Sequence, residues 1–202
     1  MKNVNEQGRS MIEMLGVLAI IGVLSVGGFS LVNKMHNSYE VNQVIDITGE
    51  LASRTRTVVR NYDDSDDEDD SKKNTSMEAF LRKAKAIPDI FLDADSFEFG
   101  DVKFTVQYLG DQIVTFAVKA ENLTEEMCME MVTINWGGPG SSGFLGMSIG
   151  DGFDDVSKAI DGKTGGSDTV AIVGSSTYPA PMGIGAATAN CSDGVSVVLS
   201  FR

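Results

Sequence analysis

An uninterrupted apolar run near the amino terminus constrains this chain more than any other feature. The residues from Met14 to Val32 number 19, and none of them is ionisable. As a helix rising 1.5 Å per residue, this run is about 28 Å long, close to the roughly 30 Å hydrocarbon thickness of a bilayer. The sequence therefore predicts a membrane anchor at 14–32 that carries one exported domain.

Charges on either side of the apolar run indicate how the anchor is oriented. Lys2 and Arg9 precede it, which favours a cytoplasmic amino terminus, while Lys34 and His36 follow it and weaken that bias. A cleavable signal peptide is the alternative, because Ser25-Val26-Gly27 has the small-x-small pattern of a cleavage site. The helical pattern continues through that point, and we therefore expect an anchor.

After the anchor, residues 33–60 keep a helical pattern with one apolar face. Two sets of apolar residues recur there at seven-residue intervals: Val44, Leu51 and Val58, and Ile45, Ala52 and Val59. This spacing is typical of an amphipathic helix. We therefore predict one long helix over 9–60, with its first part bundled with copies of itself and its second part packed on its own domain.

A run of acidic residues follows the predicted helix. Asp63–Asp70 reads DDSDDEDD and contains no apolar residue. Because neighbouring carboxylates repel one another, the sequence predicts a solvated acidic linker over 61–75. Calcium binding is the alternative, but the run lacks the glycine that an EF-hand loop needs after its third ligand.

Residues 76–202 combine helix and strand patterns and are predicted to form one globular head domain. Thr75 and Glu78 fit a capping box that opens a helix at 76–86. Alternating apolar residues predict strands at 102–108 and 112–119, joined by a tight turn at Gly110-Asp111. Further predicted elements are a helix at 125–132 capped by Thr124, a helix at 154–160, and strands at 169–173 and 195–201.

The chain contains two cysteines, Cys128 and Cys191. In an exported domain they are most simply interpreted as one disulfide, because the compartment is oxidising. Two buried free thiols are the alternative. A zinc site is poorly supported, since His36 is the only histidine and lies beside the predicted membrane segment.

The sequence offers no pattern typical of an enzyme or of a nucleic-acid-binding protein. Walker A, HExxH and CxxC motifs are absent, and one histidine beside the membrane cannot complete a Ser-His-Asp triad in the exported domain. A net charge of −13 argues against a nucleic-acid-binding protein, which would need a basic surface. We therefore expect neither a catalytic site nor a cofactor.

The junction between leader and anchor resembles that of a known family. A short polar leader ends in Gly8, the fifth residue after it is Glu13, and the apolar helix follows without a break. This arrangement resembles type IV prepilins and the related pseudopilins of type II secretion, over residues 1 to about 60. It differs from the usual pattern in having Arg9 where Phe or Met is common, no proline in the anchor, and a leader of only eight residues.

The resemblance implies a fold, a maturation step and a polymer. It implies cleavage between Gly8 and Arg9 by a prepilin peptidase, N-methylation of Arg9, and assembly through Glu13 by inner-membrane pilus machinery. Helix unwinding is implied at Gly22, Gly27 and Gly28, and 128–191 corresponds to the outward-facing disulfide-bounded region. The implied fold is α+β and pilin-like, with a long amino-terminal α-helix packed on an antiparallel β-sheet head domain.

Three functions remain open at this point. The first is a pilin that polymerises with itself into an extracellular filament, after residing in the inner membrane with its head domain in the periplasm. The second is a pseudopilin or minor pilin of a secretion or pilus machine. The third is a single-span, membrane-anchored binding domain that does not polymerise.

Overall fold

The computed structural model describes the backbone of residues 6–62, 70–110, 113–161 and 169–202, and the side chains of these ranges except 6–12, 24–37 and 70–76. The chain divides into two compact units, Met1–Asn42 and Gln43–Arg202. Helix α1 (Glu6–Val58) contributes residues to both. The predicted leader 1–8 and most of the acidic run 63–70 therefore lie outside the residues whose side chains are described.

In the amino-terminal unit, the apolar side chains of α1 between Glu13 and Val23 are uncovered, whereas Val41 is buried. Every residue from Glu13 to Val23 is exposed. Within the ranges given above, the chain contains no helix with the length and apolar character needed to cross a bilayer.

The prediction of a long amino-terminal helix packed on the β-sheet is wrong. Only the helical residues from Gln43 onward belong to the unit that contains the sheet. Before Gln43, the stretch Glu13–Val23 of α1, whose side chains are described, is exposed throughout. Among the described residues, therefore, no long helix packs on the sheet. The physical reason is that an apolar helix face predicts burial but does not identify the surface that covers it.

From Gln43 to Val58, α1 buries one face within the second unit. The buried residues follow a helical spacing: Val44, Ile47, Thr48, Leu51, Ala52 and Thr55. Arg54 Nη1 donates to the Ile87 carbonyl over 2.8 Å, which ties this part of α1 to the segment after helix α2 (Asp70–Lys83). The predicted amphipathic character is present here, although Ile45 and Val58 are only half-buried.

Within the described parts of the chain, six antiparallel strands form one sheet. They are β1 (Glu98–Phe99), β2 (Val102–Tyr108), β3 (Phe116–Leu123), β4 (Phe144–Ile149), β5 (Val170–Ile172) and β6 (Val195–Phe201), in the order β1-β2-β3-β6-β4-β5. The antiparallel α+β class agrees with the prediction. Strands β2 and β6 lie where alternation predicted them and β5 lies within the predicted strand 169–173, whereas β1 and β4 were not predicted.

The predicted tight turn at Gly110-Asp111 falls partly outside the described residues, because Asp111 is not among them. Between β2 and β3, the Leu109 N–H donates to the Thr115 carbonyl over 3.0 Å. Gly110 has a φ of 62°, a left-handed conformation that suits glycine. Strand β3 consequently begins at Phe116, later than the predicted start at residue 112.

Strand pairing gives the sheet one apolar face and one mixed face. The apolar face is built from register-matched residues of four strands: Phe104, Val106, Phe116, Val118, Ala120, Phe144, Met147, Val197, Leu199 and Phe201. The opposite face combines the polar residues Thr105, Lys119 and Ser200 with the buried Ala117 and Val198. Because β6 is central, both of its faces are buried between Val197 and Phe201.

The remaining helices are α3 (Glu125–Thr133), α4 (Asp155–Ile160) and α5 (Ile184–Asn190). Helix α2 lies beside β2, α4 lies beside β4 and β5, and α3 contacts α5. Helix α2 begins at Asp70, six residues before the predicted start at Ser76. Carboxylates in a first helical turn interact favourably with the helix dipole, so the end of the acidic run can initiate the helix.

Candidate functional site

The predicted processing and assembly residues lie at the amino-terminal end of α1. Glu13 has an exposed side chain, whereas the side chains of residues 8 and 9 lie outside those described. A β-carbon placed at Gly22 would meet no atom within 4 Å. The other two glycines predicted for unwinding, Gly27 and Gly28, belong to the undescribed side-chain segment 24–37. The roles predicted for these residues stay predictions.

Directly after Glu13, α1 presents apolar side chains to its surroundings. Seven of them are between 53% and 75% exposed: Met14, Leu15, Val17, Leu18, Ile20, Ile21 and Val23. They occupy all sides of the helix rather than one stripe. A helix that is apolar all round is normally covered by a membrane or by a large protein core. The surface of this stretch is therefore a candidate interaction site.

The predicted disulfide between Cys128 and Cys191 is present. The sulfur atoms are 2.00 Å apart and the Cα atoms 5.7 Å apart. Cys128 lies in α3 and Cys191 follows the last residue of α5, and both are buried. The bond thus connects two helices that pack against each other.

Helix α3 is fixed at both ends by side-chain hydrogen bonds. At its start, the predicted cap Thr124 accepts a bond from the Met127 N–H, and the Asp193 carboxylate accepts the Glu125 N–H over 2.9 Å. Near its end, Trp136 Nε1 donates to the Met131 carbonyl over 2.8 Å. These bonds satisfy polar groups that a helix end leaves without partners.

The disulfide-bounded region 128–191 also contributes directly to the sheet. It contains β4 and β5 as well as α4 and α5. The Met182 N–H donates to the Val132 carbonyl over 2.8 Å, so the chain between β5 and α5 is held at the end of α3. The region is therefore built into the fold rather than being an appended loop.

Lys119 in β3 forms a charged cluster that the sequence reasoning did not identify. Its side chain is 11% exposed, and Nζ lies 2.6 Å from Glu121 and 3.8 Å from Asp151. The ammonium also lies 5.0 Å from the centre of the Phe153 ring. A lysine within the otherwise apolar run FAVKA was the available signal. Because the ammonium is paired, the cluster is suited to structural rather than nucleophilic use.

Helix α4 begins with two adjacent carboxylates that have different environments. Burial raises the pKa of Asp155 above its ordinary value of 3.8, against the opposing effect of Lys158. Asp154 lies 2.6 Å from Lys158, and this hydrogen bond raises the pKa of the lysine. These side chains are partly exposed, and an ion pair between two residues one helical turn apart explains their arrangement.

Among the described residues, no three His, Cys, Asp or Glu side chains are grouped so that they could hold a metal ion. The calcium alternative concerned Asp63–Asp70, whose side chains lie outside those described, as does that of His36. No protein-family model matches the chain, and no curated protein matches it significantly. The resemblance to type IV prepilins rests on the polar leader that ends in Gly8, on Glu13 five residues later, and on the apolar run.

Proposed function

We propose that this protein is a structural subunit, a type IV pilin, that polymerises into a surface filament after leader cleavage and N-methylation. The observation that carries the proposal is the sequence of Gly8, Arg9 and Glu13 directly before the apolar run. The exposed apolar side chains of Glu13–Val23 support it, because a single copy leaves them uncovered.

The proposed assembly mechanism is electrostatic pairing inside an apolar bundle. Cleavage after Gly8 would create a cationic amine on Arg9, and Glu13 of one subunit would neutralise that amine on its neighbour. A carboxylate placed among apolar side chains without a partner is strongly penalised. Pairing therefore favours one axial offset between neighbouring subunits, and the Arg9 guanidinium adds a second cation at the same place.

The apolar stretch has two proposed environments in succession. Before assembly, lipid of the bacterial inner membrane covers it, with the amino terminus in the cytoplasm and the disulfide-bonded domain in the periplasm. After assembly, other copies of the same stretch cover it in an extracellular filament. The proposed partners are therefore other copies of this chain, a prepilin peptidase and the inner-membrane assembly machinery, and no catalytic role is proposed.

The pairing mechanism is tested by replacing Glu13 with alanine in cells that produce the protein. We expect normal leader removal but few or no filaments in electron micrographs, because the amine on Arg9 loses its partner. Glu126→Ala is the matched control, since it removes an exposed carboxylate from α3. A Glu13→Ala variant that produces as many filaments as the control would contradict the mechanism.

Mass spectrometry of the mature amino terminus tests the wider assignment. A methylated Arg9 would support the pilin superfamily, whereas a chain that starts near Gly28 would indicate a secreted free domain. A chain that retains Met1 would contradict maturation and leave a tethered binding domain. If Arg9 is methylated but overproducing cells form no long filaments, a pseudopilin or minor pilin explains the data better than a major pilin.

A further inference from the structure

A groove lined by three arginines lies at the carboxyl end of α1. Its lining residues are Arg56, Thr57, Val59, Arg60, Thr115 and Arg202, and its volume is about 730 Å³. Arg56 lies in the last turn of α1, Arg60 lies in the 3-10 turn Val59–Asn61 that follows it, and both line the groove. Arg202 follows the last residue of β6, and Thr115 directly precedes β3.

Backbone hydrogen bonds hold the parts of the groove together. The Thr115 N–H donates to the Phe201 carbonyl over 2.8 Å, and the Arg202 N–H donates to the Gly143 carbonyl over 2.8 Å. Arg56 Nη1 donates to the Ser141 carbonyl over 2.7 Å. The Arg56 guanidinium is thus held against the loop that contains Ser141. The backbones of Thr115 and Arg202 are held by hydrogen bonds at the ends of the strands.

These arginines differ from the ion-paired cations elsewhere in the domain. Arg54, Arg82 and Lys119 each lie within 2.9 Å of a carboxylate oxygen. By contrast, the groove is lined by no Asp or Glu, and within the described part of the chain none of its three arginines forms an ion pair.

The charge in the groove is not explained by the helix end alone. The carboxyl end of a helix supplies about half a negative elementary charge, which offsets only part of the charge of Arg56 and Arg60. Acidic residues outnumber basic ones in the chain by 29 to 16, so carboxylates for pairing are plentiful. Three arginines nevertheless line one concave surface, and a bound anion would balance their charge.

We propose that this groove binds a ligand that carries at least two oxyanion groups of the phosphate type. Guanidinium groups present paired N–H donors that match the oxygens of phosphate, and such hydrogen bonds are among the stronger ones in proteins. The groove is larger than one phosphate needs and falls in the range of small-molecule sites. The hydroxyl of Thr115 provides a further polar group at the wall.

Pyrophosphate is the probe that tests this site. The full-length protein in a zwitterionic detergent is titrated with pyrophosphate by isothermal calorimetry, and thermal unfolding is measured in parallel. We expect saturable binding, a raised unfolding temperature, and at least tenfold weaker binding of methyl phosphate, which has one phosphate group. Sodium chloride at equal ionic strength is expected to reproduce neither effect.

Variants of the two exposed arginines locate the binding. Arg60→Gln and Arg202→Gln together leave the Arg56–Ser141 bond intact, and we expect at least tenfold weaker pyrophosphate binding with an unchanged fold. Lys103→Gln is the matched control, because it removes an exposed cation from β2, outside the groove. Absent binding in the wild type, equal binding of methyl phosphate, or full binding by the double variant would each overturn the proposal.

Discussion

Reduction of the Cys128–Cys191 disulfide is expected to destabilise the unit Gln43–Arg202 substantially. The bond joins residues separated by 63 positions. In the chain-entropy treatment, closing a loop of that length stabilises the folded state by about 4 kcal/mol. Both sulfur atoms are buried, so the reduced thiols fill the same space and a cavity contributes little. The folded-to-unfolded ratio should therefore fall by roughly a thousandfold.

Trp136 makes this loss directly measurable. It is the only tryptophan, it lies between the two cysteines in sequence, and its indole is bonded to α3. Urea unfolding of oxidised and reduced full-length protein, followed by tryptophan fluorescence, gives the two free energies of unfolding. For a domain of this size, a loss of 4 kcal/mol corresponds to a decrease of about 10 °C in the unfolding temperature.

The matched control is the variant Cys128→Ala/Cys191→Ala, measured with and without reductant. Its stability is expected to resemble that of the reduced wild type and to be insensitive to the reductant. A difference below about 1 kcal/mol between oxidised and reduced wild type would refute the reasoning. It would mean that the unfolded chain gains little freedom when the cross-link is removed.

Two further predictions concern single residues around β4 and α4. Gly146→Ala should lower the free energy of unfolding in urea by about 1–3 kcal/mol, because the added β-carbon would lie 2.5 Å from the Ala171 carbonyl oxygen. Gly140→Ala is the control, because no atom lies within 4 Å of its β-carbon. Equal losses of stability in the two variants would contradict the prediction. Burial raises the pKa of Asp155, so its folded form binds a proton more tightly than its unfolded form, and stability falls as the pH rises above 3.8. The stability of Asp155→Asn relative to wild type should therefore increase from pH 3.5 to pH 7, and a constant difference would contradict the shift.

The sequence was most informative where one local rule dominates. Alternation identified β2 and β6, because each has a regular series of apolar residues on one face. The hydroxyl of Thr124 and the carboxylates after it identified the start of α3. The disulfide followed from the pairing of two cysteines in a chain interpreted as exported.

Other elements depend on partners that local patterns do not reveal. Strand β4, FLGMSI, contains a glycine and lies in a stretch rich in glycine and serine, which obscured its alternation. It is a strand because it pairs with both β5 and β6. Likewise, an apolar face on α1 did not identify the surface that covers it, and the prediction of a long helix on the sheet failed for that reason.

The candidate sites also differ in whether the sequence alone reveals them. Glu13 and the glycine before the apolar run are neighbours in sequence, so their pattern is visible without a structure. The arginine-lined groove joins residues from α1 and from the flanks of β3 and β6, which only the fold brings together. Lys119 was visible as a lysine in an apolar strand, but its partner Asp151 belongs to a separate loop.

The position of β6 has a consequence for the order in which the sheet can form during folding. This strand comes after all the others in sequence, yet it lies between β3 and β4 in the middle of the sheet. Until β6 pairs with β3 and β4, strands β1-β2-β3 and β4-β5 form two separate fragments. Their unpaired edge strands can then pair incorrectly. The sheet therefore cannot be completed progressively from the amino end of the chain, and its inner edges stay unpaired until residues 195–201 are available.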